Sequence, residues 1–151
     1  MTPQTETHVV HAGLIALYDA RAWKGVLIQG PSGVGKSDLA LRALGLGFRL
    51  VSDDRTLLWA SQGRLYGRCP PAIAGLIEAR GLGVMPLGAR GFAQIRLIVR
   101  CLPAGAPVER MPDEVRQDLL GVEVPTLDLR PLEASSPMKL LHALSLLGGA
   151  P

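Results

Sequence analysis

Aromatic side chains are scarce: Phe, Trp and Tyr together make up 4% of the 151 residues. A core built from this chain therefore has to be packed from Leu, Val, Ile and Ala. Strong charge of either sign is also missing. The 16 Lys and Arg residues stand against 13 Asp and Glu, a net charge of +3, and no run of four cations occurs. A nucleic-acid binder would show a basic stripe with interleaved aromatics, so no nucleic acid is expected as a partner. No apolar run reaches eighteen residues, which argues against a membrane-crossing helix and against membrane association. Cysteine is limited to Cys69 and Cys101, which match no C-x-x-C spacing and read as two reduced structural thiols. Residues 1–7 are polar and lack the basic-then-apolar order of a signal peptide. Together these absences predict a cytoplasmic protein.

What is present points to a compact domain, taken as residues 1–151. Hydrophobic residues make up 48% and charged residues 19%, and 18 Gly with 12 Pro predict many turns. Residues 9–18 read as one strand or two short ones, 19–24 as a turn. Residues 25–29 form a short apolar run that suits a strand covered on both faces. A glycine-rich loop follows, then a helix over 36–44 stopped by Gly45 and Gly47. Residues 48–52 read as the next strand. Residues 56–60 and 64–66 predict a hairpin around Gln62-Gly63. Ile77 to Arg80 leads into a loop at Gly81-Leu82-Gly83. Residues 95–102 read as a strand, 113–120 as a short helix and 122–129 as a strand. Ser135-Ser136-Pro137 starts a final helix with a stripe of Leu140, Leu141, Leu144 and Leu147, ended by Gly148-Gly149. So many strands outside the first strand–loop–helix–strand unit predict a mixed sheet within an α/β fold.

The string Gly30-Pro31-Ser32-Gly33-Val34-Gly35-Lys36-Ser37 matches G-x-x-x-x-G-K-[ST] in full. A polyphosphate needs many N–H donors close by. Glycines let the backbone approach without Cβ clashes, and the loop runs into a helix N-terminus, which favours anions. Lys36 then serves as a point charge on the β and γ phosphates, and the Ser37 hydroxyl as an oxygen ligand for Mg²⁺. A chance glycine turn is the plain alternative, but the apolar strand before and amphipathic helix after supply the context the motif requires. Asp53 and Asp54 end the next predicted strand, expected beside the loop in a parallel arrangement. Neighbouring strand residues face opposite ways, so one carboxylate suits the metal and the other suits a hydroxyl proton. Capping of a turn before Arg55 is the bland alternative.

These segments, with His11-Ala12-Gly13 before them and Ile77-Glu78-Ala79-Arg80-Gly81-Leu82-Gly83 after, look like the catalytic domain of HPr kinase/phosphorylase. Glu109-Arg110-Met111 and Leu120-Gly121-Val122-Glu123-Val124-Pro125 are similar to a later family stretch. The resemblance spans about residues 8–129. It implies a P-loop kinase fold with a mixed sheet, related to PEP carboxykinase, that uses ATP and Mg²⁺. The implied partner is the phosphocarrier protein HPr of the phosphotransferase system, whose seryl residue accepts the phosphoryl group. The reverse reaction, attack of inorganic phosphate on phosphoserine, is implied too. By resemblance Asp53 is the base, Ser37, Asp54 and Glu78 lie around Mg²⁺, His11 sits near the phosphates, and Arg110 rides a mobile loop that closes on the phosphoryl group. A homo-oligomer, a hexamer in the longer members, is the implied assembly.

Three departures stand out. The separate N-terminal domain of longer members is expected to be absent, as in short proteobacterial forms. Asp38 replaces the usual Glu after the loop serine. From Arg130-Pro131 onward the chain lacks the usual P-G-R-N run. Two other readings remain open on the residues alone: a P-loop kinase for a different acceptor, and a nucleotide-binding regulatory module with little catalysis.

Overall fold

The computed structural model of the chain describes residues 6–86 and 90–148. It contains β1 (His8–Val10), β2 (Ala12–Asp19), β3 (Ala22–Gln29), α1 (Lys36–Leu44), β4 (Arg49–Ser52), β5 (Thr56–Ser61), β6 (Arg64–Arg68), β7 (Leu76–Ala79), β8 (Gly83–Pro86), β9 (Phe92–Cys101), β10 (Val115–Leu119), β11 (Val122–Leu129) and α2 (Ser136–Leu147). Nine strands form one mixed sheet, with a path of β1-β5-β6-β9-β3-β2-β4. The strand β11 joins the edge of β9 and carries β10 as its hairpin partner; β7 and β8 form a separate two-stranded ribbon. Among the described residues only the β3–β9 and β9–β11 pairs are parallel. The mixed α/β fold expected from the sequence is thus the fold found.

The sheet curls, because β5 and β6 turn back over β2. A Cβ on Gly67 of β6 would lie 2.6 Å from Leu14 Cδ2 of β2, so a larger residue there would displace the buried Leu14 side chain. The Thr56 hydroxyl reaches across to the Ala12 carbonyl at 2.7 Å. Alternation along the strands then separates two cores. Leu14, Leu27, Leu58, Leu65 and Ile98 fill the inside of the curl. Ile15, Val26, Ile28, Leu97 and Val99 face the other way and pack on Leu39, Ala43, Leu140 and Leu144 of the two helices.

Several local expectations need correction. Residues 113–120 do not form a helix; Val115–Leu119 is a strand. Leu120 and Gly121 both have positive φ, 53° and 83°, as a tight mirror-image hairpin turn requires, and Asp118 accepts a hydrogen bond from the Gly121 N–H at 3.0 Å. The same device closes β2–β3 at Ala20-Arg21 and β5–β6 at Gln62-Gly63. The presumed turn over 19–24 is therefore two residues long, and the strand after it begins at Ala22. Arg80-Gly81-Leu82 is the turn of the β7–β8 hairpin, with Gly83 already in strand. The final helix stops at Gly148 as expected; Gly149 lies outside the described residues. Lastly, β4 is not the neighbour of β3: β2 lies between them, antiparallel to both.

Candidate active site

The loop of residues 30–35 turns the chain from the carboxyl end of buried β3 into α1. Gly35 caps the helix at φ 114°, a left-handed conformation, and its vacant Cβ position is 2.8 Å from Leu132 Cδ2. Gly33, at φ 80°, faces open space. The first N–H groups of α1 have no intrahelical partners and form an anion-favouring end. Lys36 is only 8% exposed. Its ammonium donates to the Gly30 carbonyl and lies 3.9 Å from Asp54 Oδ1.

Asp53 and Asp54 follow β4 and take different directions because Asp54 has a left-handed φ of 64°. The divergence expected from strand alternation is present, but its cause is this turn. Asp53 Oδ1 accepts from the Ser37 hydroxyl at 2.7 Å, and Oδ2 accepts from the backbone N–H of Glu78 at 3.0 Å. Asp54 Oδ1 instead faces Lys36, with His11 Nδ1 at 3.8 Å. Although β4 is one strand further out than expected, its carboxyl end still reaches the loop. A cleft of about 420 Å³ opens there, lined by Gly33, Lys36, Ser37, Asp54, Glu78 and Arg80, among others.

These residues suit a polyphosphate and its magnesium. Among the described residues no three His, Cys, Asp or Glu side chains converge on a metal position. Magnesium is typically held by one or two carboxylates plus the phosphates it accompanies rather than by an all-protein cage. The hydrogen-bonded Ser37–Asp53 pair, with the Glu78 side chain at the same cleft, fits that donor set. Cys101 closes the floor behind Gly30 and is buried. Burial pushes its thiol up to about 12, against the opposing pull of Lys36, so it stays protonated and inert.

Arg110 is not in this cleft. It lies on the segment between β9 and β10 and lines a separate groove of about 600 Å³ against β11 and α2. Sequence reasoning also missed Leu132. It is carried to the phosphate loop by Arg42 of α1, whose guanidinium donates to the carbonyls of Pro131 and Glu133 and pairs with Asp38 at 2.8 Å. Nothing in the local sequence announces a contact made across about ninety residues of chain.

A buried strand, a glycine loop with an interior lysine and a carboxylate pair at the same sheet end define a P-loop protein of the mixed-sheet type. The model of the family described as HPr Serine kinase C-terminal domain matches residues 3–141. The chain belongs to that family. It is 35% identical over 135 residues to the HPr kinase/phosphorylase of Bordetella petrii, covering 82% of this chain and 42% of that protein. With the HPr kinase/phosphorylase of Clostridium tetani it shares 32% over 143 residues, 87% of this chain and 45% of that one. The chain thus spans less than half the length of these curated relatives. The solved structure of the Hpr(Ser) kinase/phosphatase from Coxiella burnetii has the same fold: TM-score 0.76, 24% identity, 92% of this chain and 91% of that one. Among the described residues no helix is long and apolar enough to cross a membrane.

Proposed function

We propose that the chain is an ATP-dependent serine kinase acting in the cytoplasm on the phosphocarrier protein HPr, and that it also runs the reverse phosphorolysis. The observation that carries the reading is the pairing of Lys36 and Asp54 at 3.9 Å over an open phosphate cradle. A cation for the transferring group and a carboxylate for the acceptor proton are what phosphoryl transfer asks of a protein.

The geometry favours giving Asp54 the role of base, the reverse of the division implied by the resemblance. Both oxygens of Asp53 already accept hydrogen bonds, one from the serine expected to ligate the metal. Asp54 is half exposed and faces the cleft. Bound Mg²⁺ would neutralise phosphate charge, held by Ser37 and Asp53 with Glu78 within the same cleft. In the forward direction the seryl hydroxyl gives its proton to Asp54, and its oxygen bonds to the γ-phosphorus. The bond from that phosphorus to the β–γ bridging oxygen breaks, and ADP leaves. Lys36 balances charge on the moving group, and His11 orients Asp54. In reverse, inorganic phosphate occupies the same cradle, and its oxygen attacks phosphoserine. Asp54 returns the proton to the seryl oxygen, and pyrophosphate leaves.

Incubation with ATP, Mg²⁺ and HPr, followed by mass spectrometry, tests the reading. One phosphate on one serine is expected, removed again by inorganic phosphate with release of pyrophosphate. Unmodified HPr beside measurable nucleotide binding would sink the kinase assignment.

A further inference from the structure

The phosphate cleft is charged where it would meet phosphates and metal, at Lys36, Asp38, Asp54, Glu78 and Arg80, and its apolar side chains are limited to Leu41, Ala79 and Leu132. A second cleft of about 390 Å³ adjoins it, within the size range of small-molecule sites. Leu132, 64% exposed, lines both and forms the sill between them.

We propose that the nucleoside of the bound nucleotide lies in this second cleft, over Val34 and Leu132, between the 102–105 turn and the 130–133 segment. The inference rests on the phosphate-loop reading above and extends it. Topology supports it first. The strands β9 and β11 continue the run of directly paired parallel strands from β3 on the side away from the acidic pair, and ligands bind beyond the carboxyl ends of parallel strands. The second cleft is built from the residues that follow those two ends.

Chemistry supports it next. Val34, Leu102, Ala104, Pro131 and Leu132 give the cleft apolar walls. Its two charged side chains are already engaged. Arg130 Nε donates to the Ala106 carbonyl at 2.9 Å and its Nη1 to Glu133 at 3.1 Å; the other Glu133 oxygen accepts from Lys139 at 3.1 Å. The turn carrying Ala104 is closed by the Ala106 N–H on the Pro103 carbonyl at 3.1 Å, with Gly105 at φ 86°. The wall is mostly apolar, and its two charged side chains are largely committed to one another and to the Ala106 carbonyl. An apolar slot of this kind discriminates weakly between isosteric groups, so ATP and GTP bind within about tenfold of one another.

Two measurements decide it. Irradiation with bound 8-azido-ATP, followed by peptide mapping, is expected to place the adduct on residues 102–105 or 130–134. An adduct on residues 38–42 or 78–82 would overturn the proposal, because it would put the base in the charged cleft. In parallel, Ala104→Ile fills the second cleft from an exposed turn. It is expected to weaken ATP and GTP alike, roughly tenfold, while leaving the affinity for inorganic tripolyphosphate unchanged. Equal losses for tripolyphosphate and ATP, or no loss for either, would count against the nucleoside site with the phosphate loop intact. If neither ATP nor tripolyphosphate binds the unaltered protein, the phosphate-loop reading fails first and this one falls with it.

Discussion

Two lysines lie at opposite ends of the same strand and are almost equally withdrawn from water: Lys24, 4% exposed, near the start of β3, and Lys36, 8% exposed, just beyond its carboxyl end. Burying an ammonium is costly unless a partner compensates. Lys24 has one, Asp19 Oδ2 at 3.0 Å, the residue just before a tight turn. Beyond it the aromatic residues complete a packed end of the sheet, with Trp59 stacked on Tyr66 and Arg90 over Trp23. Among the described residues Lys36 has a backbone carbonyl and a carboxylate at 3.9 Å. One lysine is satisfied by the fold; the other borders the cleft, where the proposed function gives it the phosphates as partners. On that proposal the two separate a group kept for stability from one kept for chemistry.

The sharpest way to break this comparison is to remove each lysine in turn. Lys36→Ala is expected to lower kcat/KM roughly 10³–10⁴-fold, because binding and charge balance fail together, while the denaturation midpoint stays close to that of the parent. A variant that keeps its turnover would place Lys36 with Lys24 as a structural residue. The carboxylate pair sharpens the same point. Asp54→Asn should cost roughly 10²–10³-fold in kcat with nucleotide affinity little changed. Asp53→Asn should instead raise the Mg²⁺ concentration needed for half-maximal rate. Swapped phenotypes would restore the division of labour that the family resemblance implies.

Much of the loop end was legible in the sequence, because there the motif constrains residue type at each position: Gly33 and Gly35 take positive φ, and Lys36 and Ser37 both line the cleft. The helix over 36–44 matched to the residue. Less was legible where tertiary geometry decides. The antiparallel β2 sits between β3 and β4, and no local pattern reports that insertion. The stretch 113–120 carries mixed polar and apolar residues that suit a helix, yet the positive φ of Leu120 and Gly121 folds it back on β11. Leu132 and Pro131 reach the loop only through the tether from Arg42. Arg110, named by resemblance, lies in another groove.

The stability half of the comparison has its own test. Lys24→Ala removes the buried stem and leaves Asp19, which is half exposed, without its partner. A loss of about 1–3 kcal/mol in unfolding free energy is expected, with kcat and KM unchanged. If turnover falls as well, the packed end of the sheet is not independent of the phosphate end.

The smallest effect concerns the segment that presents Leu132. Hydrogen bonds from Arg130 and Lys139, and the nearby Lys139 charge, hold the Glu133 carboxyl below its ordinary value. A depressed carboxylate pKa contributes stability that is present above the unfolded-state value and is lost as pH falls through the folded one. The melting temperature of the parent should therefore decline slightly more steeply below about pH 4.5 than that of Glu133→Gln, which has no proton to take up. The pair is exposed to solvent, so the difference should shrink as salt is added. Here a charge is satisfied at the surface by two cations, as Lys24 is satisfied in the interior by one anion. Parallel acid limbs in the two proteins at low salt would show that Glu133 merely sits beside Arg130 and Lys139, and that Arg42 alone fixes the segment over the loop.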